Sequence, residues 1–488
     1  MAYPPSTLAT NKADNTPSTS DHAQHHNDLA AAINDIVAEL GSNPSGSDAT
    51  VTGRLSTLET TVSGISGGTD AETVRDLIGT TLVAGDNVTI DVDDAGNEVT
   101  INASLDAGTG NGGYGPNWVA AADAPAALRT AVTAAGGTVI GSVGTNAATA
   151  INSKLSSYKH VMLSEGTFSV SGTITVPQGR TLQGSGNPAT EIRAISGITS
   201  RILYATADKI TICDLFVNGN GQGSNVVGIE VNVSSNSGFF SQQTNEACTV
   251  LHDIQIDGNT GDGVVMSGYY NRDSKLYNID VHNSGGDGFY ITCPDGTLSQ
   301  CVAGTPGGHG FIFDGAANWR AVNCKAWYSD GCGWIIGAST ATARIGLIGC
   351  EAQDNEQAGF RILRSNAPML TGCVADSNSN TSGNAGVYSG FEVYCTGSSA
   401  TGAYVGGGAV LSGCIAYDKS EGGRGYRQAY GFRFGQGLRY ATAMGCGTGD
   451  NDAHHNATGG VLFNTGSDQT HSSNLIAINS HGSRVLSF

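Results

Sequence analysis

From about residue 210 the sequence carries two residue columns that keep a fixed distance from each other. The first runs through Leu215, Ile254, Ile279, Cys301, Cys324, Cys350, Cys373, Cys414, Cys446 and Ile476. The second is a glycine–apolar pair: Gly228-Ile229, Gly263-Val264, Gly288-Phe289, Gly310-Phe311, Gly333-Trp334, Gly359-Phe360, Gly390-Phe391, Gly431-Phe432 and Gly460-Val461. In five consecutive repeats the apolar member falls ten residues after the first column, and the intervening coils are 22 to 26 residues long. An offset kept through coils of unequal length requires one unit stacked on the next, a solenoid. Short alternating strands such as "IDV", "FYI", "FIF" and "WII", separated by Asn, Asp and Gly turns, make it a mainly β protein built on a parallel β-helix. Coils then stack about 4.8 Å apart, and equivalent residues form ladders. Phe289, Phe311, Trp334, Phe360, Phe391 and Phe432 should point inward, joined by Ile291, Phe313, Ile336, Ile362, Val393 and Phe434.

The ladder also accounts for the cysteines. Six of the eleven fall in the first column, where a free thiol serves as a small hydrophobe. The odd number and the lack of C-x-x-C pairs argue against a disulfide framework or a zinc site, and the reading is reduced, structural thiols. Glycine, at 71 residues, is about twice its usual share, as turn-rich β structure requires. A net charge of −19 and a pI of 4.8 speak against nucleic acid as a partner, because phosphate-backbone binding needs clustered Lys and Arg. There is no apolar run of about 18 residues, so membrane insertion is not expected. The start, "MAYPPSTLATNKADNTPSTS", lacks the pattern of a secretory signal, and assembly in a cytoplasm is expected.

Upstream of the repeat, the composition changes several times. Residues 1–68 read as an extended arm followed by two heptad seams, Leu29, Ile33, Ile36, Leu40 and then Val51, Leu55, Leu58, Val62, Ile65. Helices this short are marginal alone but bury their seam as a coiled coil; a helical hairpin packing on itself is the alternative. His22 and His26 extend the first seam backwards, so an oligomer would bring imidazoles to its axis, as metal ligands or as a solvated polar start. No other metal site and no cofactor is expected. Residues 69–106 alternate on either side of "DDAGN" as a small β module, residues 107–136 read as linker and helix, and residues 137–488 as the β-helix. Two Ala-rich helical stretches are expected between residues 118 and 157.

The run "HAQHHNDLAAAINDIVAELGSNPSGSDATVTGRLSTLE" resembles the N-terminal part of bacteriophage minor tail proteins and tail fibres. "LVAGDNVTIDVDDAGNEVTI" resembles the small β module that follows it there, and "AINSKLSSYKHVMLSEGTFSVSGTITVPQGRTLQGSG" resembles the opening of the pectate-lyase-like β-helix of phage tailspikes, which implies a single-stranded right-handed parallel β-helix. The resemblance covers residues 22 to 186. It implies a virion tail component, a homotrimer, contacts with other tail-tip or baseplate proteins through the N-terminal region, and a surface that binds a host cell-surface polysaccharide during adsorption. A depolymerase, either glycoside hydrolase or polysaccharide lyase, is the alternative; a purely structural tail component is a third reading.

Function on a solenoid sits where the repeat departs from itself. The coils starting at Cys373 and Cys414 carry 18 residues between the columns in place of ten, and a further insertion spans 396–408. Stacking should gather these into a lip holding Tyr388, Tyr404, Tyr417, Arg424, Tyr426, Arg427 and Tyr430, with Arg361 and Arg433 nearby as glycan-binding candidates, because aromatic rings and guanidinium groups stack and hydrogen-bond well with sugars. The same residues fill a groove between subunits in the alternative reading. For catalysis, stacking alone brings carboxylates to the spacing glycoside hydrolysis uses. Asp262 with Asp287, or Asp257 and Asp280 with Asp253, meet that condition. The chief candidates are Asp262, Asp287 and His309 on one ladder, and Glu392 beside Arg361 and Arg433. "NID" (278–280), "GDG" (286–288), "GHG" (308–310) and "RIL" (361–363) follow the order of the polygalacturonase-like glycosidases, but lack the Asp-Asp pair and have Leu363 in place of Lys. No compact acidic cluster with a basic neighbour marks a lyase.

Overall fold

The computed structural model describes residues 88–93, 98–103, 114–207, 209–234, 249–381, 383–394, 408–419, 427–434, 442–444, 446–448 and 459–463. Two compact units divide the chain, Met1–Ala103 and Ser104–Phe488. In the first, strands Val88–Asp93 and Glu98–Ala103 pair antiparallel, with Val88 opposite Ala103 and Asp93 opposite Glu98. The heptad seams, His22 and His26 lie outside the described residues.

The second unit is a parallel β-helix with three strand faces. Face 1 is a sheet of eleven strands, running from Ile174–Thr175 to Gly459–Phe463. Faces 2 and 3 are joined by bent strands. Strand Thr211–Asn218, for example, pairs through residues 211–213 with Thr181–Gln183 on face 2 and through 216–218 with Thr190–Ala194 on face 3. The bend falls at Asp214, whose φ is 58°. Asp253, Asn278, Gln300, Asn323, Gly349, Gly372 and Gly413 repeat that left-handed conformation, with φ between 52° and 61°. Each of these residues immediately precedes a member of the first column. Gly, Asn and Asp tolerate positive φ at least cost, which is why they dominate the corner. The first column is therefore the residue that re-enters the core after the turn.

The second column stacks as expected. Val264, Phe289, Phe311, Trp334, Phe360, Phe391 and Phe432 lie in one register on face 1. The rings from Phe289 to Phe432 stack with centroids 4.0 to 6.0 Å apart and planes within 11°. All are buried, as are Ile291, Phe313, Ile336, Ile362, Val393 and Phe434. The nine cysteines among the described residues are free and buried. In the first column their thiols lie 3.4 to 3.7 Å from backbone carbonyl oxygens, such as Cys350 Sγ to Ala321 O and Cys373 Sγ to Leu347 O. Burial pushes the thiols of Cys213, Cys293 and Cys332 up, so that they stay protonated.

The glycine of the pair is a packing requirement. A Cβ on Gly310 would sit 2.5 Å from the Gly333 carbonyl oxygen and 2.6 Å from the Ala326 methyl. Only a hydrogen fits where face 1 turns past the alanines of face 3.

The sheet begins at Trp118–Ala120, upstream of residue 137, pairing with Thr138–Val139 and His160–Leu163. Two helices follow the Ala-rich stretches, α1 (Ala126–Ala134) and α2 (Ala148–Ser157); α2 sends Ile151 and Leu155 into the β-helix core. Among the described residues no helix is long and apolar enough to cross a membrane.

Candidate functional site

Three of the residues just before a Gly–apolar pair, Asp262, Asp287 and His309, form a ladder of acceptors. The Asp287 backbone N–H donates to Asp262 Oδ1 at 2.7 Å, the His309 N–H to Asp287 Oδ1 at 2.7 Å, and the Cys332 N–H to His309 Nδ1 at 2.8 Å. Each side chain thus satisfies a corner amide of the next coil, which has no place in the strand ladder. Because His309 Nδ1 accepts, its proton resides on Nε2. Burial, with the nearby Arg361 charge second, lowers the His309 pKa to about 4. Burial raises Asp262 to about 6 and moves Asp287 upward too.

The other stacked carboxylates expected from the sequence do not share a column. Asp253 lies at the corner beside Asn278, which donates to its Oδ1 at 2.6 Å; Asp257 stands opposite His282, and Asp280 opposite Gln255 and Val302. These residues occupy three different places around the corner and face 3. Asp280 is accordingly on face 3, whereas Asp287 and His309 lie at the corner leading into face 1, so the "NID", "GDG" and "GHG" segments do not form one polygalacturonase-like site.

One position after the inward aromatics is an outward column of face 1: Tyr290, Ile312, Ile335, Arg361, Glu392 and Arg433. Glu392 is 1% exposed despite facing outward. Its Oε2 accepts from Arg361 Nε at 2.9 Å and lies 2.8 Å from Nη2, while its Oε1 accepts the Ser389 N–H at 3.1 Å and lies 3.9 Å from Arg433 Nη1. Arg361 lies over the Tyr388 ring at 4.9 Å, and Arg433 beside the Tyr394 ring at 5.7 Å. Burial, then the Glu392 charge, pushes the Tyr394 hydroxyl up to about 12. Towards the N-terminal side, Ile312 and Ile335 are each 5% exposed and cluster with Cys332 and Ala358, covered in part by Tyr290, Ala338, Leu363 and Tyr388. The column is a strip with an apolar half and an ionic half, edged by tyrosines. Tyr290, Ile312, Ile335, Leu363 and Tyr394 were missed from sequence, although two isoleucines at outward positions of an alternating strand were the signal.

The long coils do meet. Arg427 donates from its guanidinium to the Asn380 carbonyl, the Gly386 N–H donates to Arg427 O at 2.6 Å, and the Ala429 N–H to Tyr388 O at 2.6 Å. Asp418, raised to about 6 by burial, accepts the Gln428 N–H at 2.7 Å. Tyr388 and Tyr430 border face 1. Tyr417 instead stands opposite Asp376 on face 3, where Lys419 lies 5.6 Å from its ring. Tyr404, Arg424 and Tyr426 lie outside the described residues.

Asp214, His252 and Asp253 bring their ligand-type atoms within 4.8 Å of one another on the far side of the helix. Gln183 donates to Asp214 at 2.9 Å, His252 Nδ1 lies 2.7 Å from Asp253, and the His252 ring stacks on Tyr277 at 4.7 Å. These contacts account for the grouping.

No family model matches the sequence, and no curated protein matches it. Among solved structures, full-length tailspike protein 2 from an Escherichia coli O157:H7 bacteriophage superposes with a TM-score of 0.54 at 16% identity, over 79% of this chain and 50% of that one. The enzymatically active domain of bacteriophage CBA120 tailspike protein 2 gives a TM-score of 0.53 at 16% identity, over 78% of this chain and 55% of that one. This chain shares the fold of a phage tailspike. The match spans about half the length of those tailspikes, and at this identity it is a likeness of fold.

Proposed function

We propose that this chain is a bacteriophage tail appendage whose face 1 binds a host cell-surface glycan. The observation that carries the reading is the outward strip from Tyr290 to Arg433, where an apolar floor, a buried Arg361–Glu392 pair and the rings of Tyr388 and Tyr394 lie side by side on a rigid sheet. Sugars offer apolar ring faces and hydroxyl edges, and that combination receives both. A solenoid ordered before binding loses little entropy when ligand arrives. Staining of bacterial cells by the labelled full chain, competed by extracted surface polysaccharide, tests it; Tyr388→Ala should weaken staining several-fold, and an unchanged variant would count against face 1.

The N-terminal region would join the appendage to tail-tip or baseplate proteins. A homotrimer is supported by exposed apolar side chains on the C-terminal half of face 2, where Ile348, Met369 and Met444, 45%, 42% and 48% exposed, are interspersed with Thr371 and Ser412, with Ile415 around the corner at 45%. Side-by-side copies would cover them. Mass photometry of the full chain should give three chains per particle; a monomer contradicts the assembly.

The second reading is a depolymerase, favoured by the fold shared with a domain described as enzymatically active. Its candidate carboxylates are Asp262, Asp287 and Glu392. All three are engaged, the aspartates by backbone amides and Glu392 by Arg361. Release of reducing ends or unsaturated uronates, abolished by Asp287→Ala, would establish this reading over binding alone.

A further inference from the structure

Arg433 is the unmatched charge of the strip. Glu392 is the single carboxylate between two guanidinium groups, and it is committed to Arg361 through two contacts of 2.8 and 2.9 Å. Arg433 approaches it only to 3.9 Å, beyond hydrogen-bond reach, and its own Nε is buried without a partner. Immediately alongside, Ser389 is fully buried with its hydroxyl oxygen likewise unpartnered, although its backbone N–H donates to Glu392. Buried donors without acceptors are expensive unless something supplies the acceptor. Among the described residues, two guanidinium groups against one carboxylate leave this end of the strip one positive charge in excess, in a chain whose net charge is −19.

We infer that the Arg433 end of the strip takes an oxyanion borne by the bound glycan, a carboxylate or a phosphodiester. Guanidinium offers the planar, forked donor set that both groups accept, and the Tyr394 ring beside it provides a flat wall for the sugar that carries the charge. The inference rests on the glycan-binding reading of face 1 and narrows it to acidic glycans. Neutral sugars offer hydroxyl acceptors to the donors but leave the excess charge uncompensated.

The test is calorimetric titration of the full chain and of Arg433→Gln with polygalacturonate, with carboxyl-reduced polygalacturonate and with poly(glycerol phosphate). Because Arg433 makes no hydrogen bond among the described residues, the variant removes a charge without unpairing Glu392, and an unchanged melting temperature confirms it. Wild type should bind at least one polyanion, in preference to the neutral polymer, and the variant should bind it at least tenfold more weakly; which polyanion is held separates carboxylate from phosphodiester. No binding of either polyanion, or equal affinity of variant and wild type, overturns the inference. Staining of bacterial cells separates the two layers of the argument. Equal staining by wild type and variant removes the oxyanion while glycan binding stands, and absence of staining by wild type across a panel of strains removes glycan binding itself.

Discussion

The Arg361 guanidinium and the Glu392 carboxylate lie 2.8 Å apart on adjacent outward-facing strands, with Glu392 only 1% exposed. A charge withdrawn from water so completely depends on its partner. Arg361→Met should therefore destabilise the protein by about 3–5 kcal/mol, the usual cost of stranding one member of a buried pair. The double variant Arg361→Met/Glu392→Met should recover most of that loss, and Arg433→Gln should cost far less. Denaturant unfolding of wild type, Arg361→Met, Glu392→Met and the double variant in a double-mutant cycle provides the check; an additive cycle would contradict the pairing.

His309 should show itself through pH. Its pKa in the fold, about 4, lies below the ordinary imidazole value, so the unfolded chain takes up a proton first as pH falls. Its contribution is fully present above about pH 6.5 and is lost as pH falls towards 4. Asp262, raised to about 6, acts in the opposite sense, favouring the fold below the ordinary carboxylate pKa and losing that advantage as pH rises through 6. The stability difference between wild type and His309→Asn should isolate the first effect. It should grow in favour of wild type from pH 4 to about 6.5 and level off above; a flat difference would mean that the imidazole titrates normally.

Two glycines separate space from conformation. At Gly310 an added methyl would meet backbone and the Ala326 methyl, so Gly310→Ala should cost about 1–3 kcal/mol, as overpacking does. At Gly372 nothing lies within 4 Å, and the demand is the φ of 60° alone. Asn holds the equivalent corner at Asn278 and Asn323. Gly372→Asn should leave the melting temperature within a degree or two, and equal losses at the two glycines would contradict the corner assignment.

Much of this fold was legible because a β-helix repeats its constraints. The aromatic column, the cysteine column and the glycine between faces each recur often enough that one residue's role is read from its neighbours in the ladder. Position in the ladder did not reveal use. Asp262, Asp287 and His309 read as a catalytic ladder, and only the geometry shows three acceptors holding corner amides. Asp257 and Asp280 lie three and one residues after their first-column members, Ile254 and Ile279, so the repeat itself separates them on face 3. The outward column was half read, since Arg361, Glu392 and Arg433 announce themselves by charge while Ile312 and Ile335 look like core.

The cysteines provide a chemical check on the core. With the nine described thiols buried and unpaired, no more than two of the eleven thiols should react readily with a thiol reagent in the native protein, and the denatured protein should release at least nine per chain. A denatured count well below nine would mean that ladder neighbours are joined as disulfides.

The account stands or falls on face 1 as a glycan-binding surface. The direct measurement is the affinity of the full chain for polysaccharide extracted from a strain that it stains, for wild type, for Tyr388→Ala on face 1 and for Val143→Ala, an exposed position away from face 1 and from the apolar residues of face 2. Saturable binding, weakened several-fold by the first substitution and unchanged by the second, is the predicted result. Absence of saturable binding, or equal affinity in all three proteins, would contradict it.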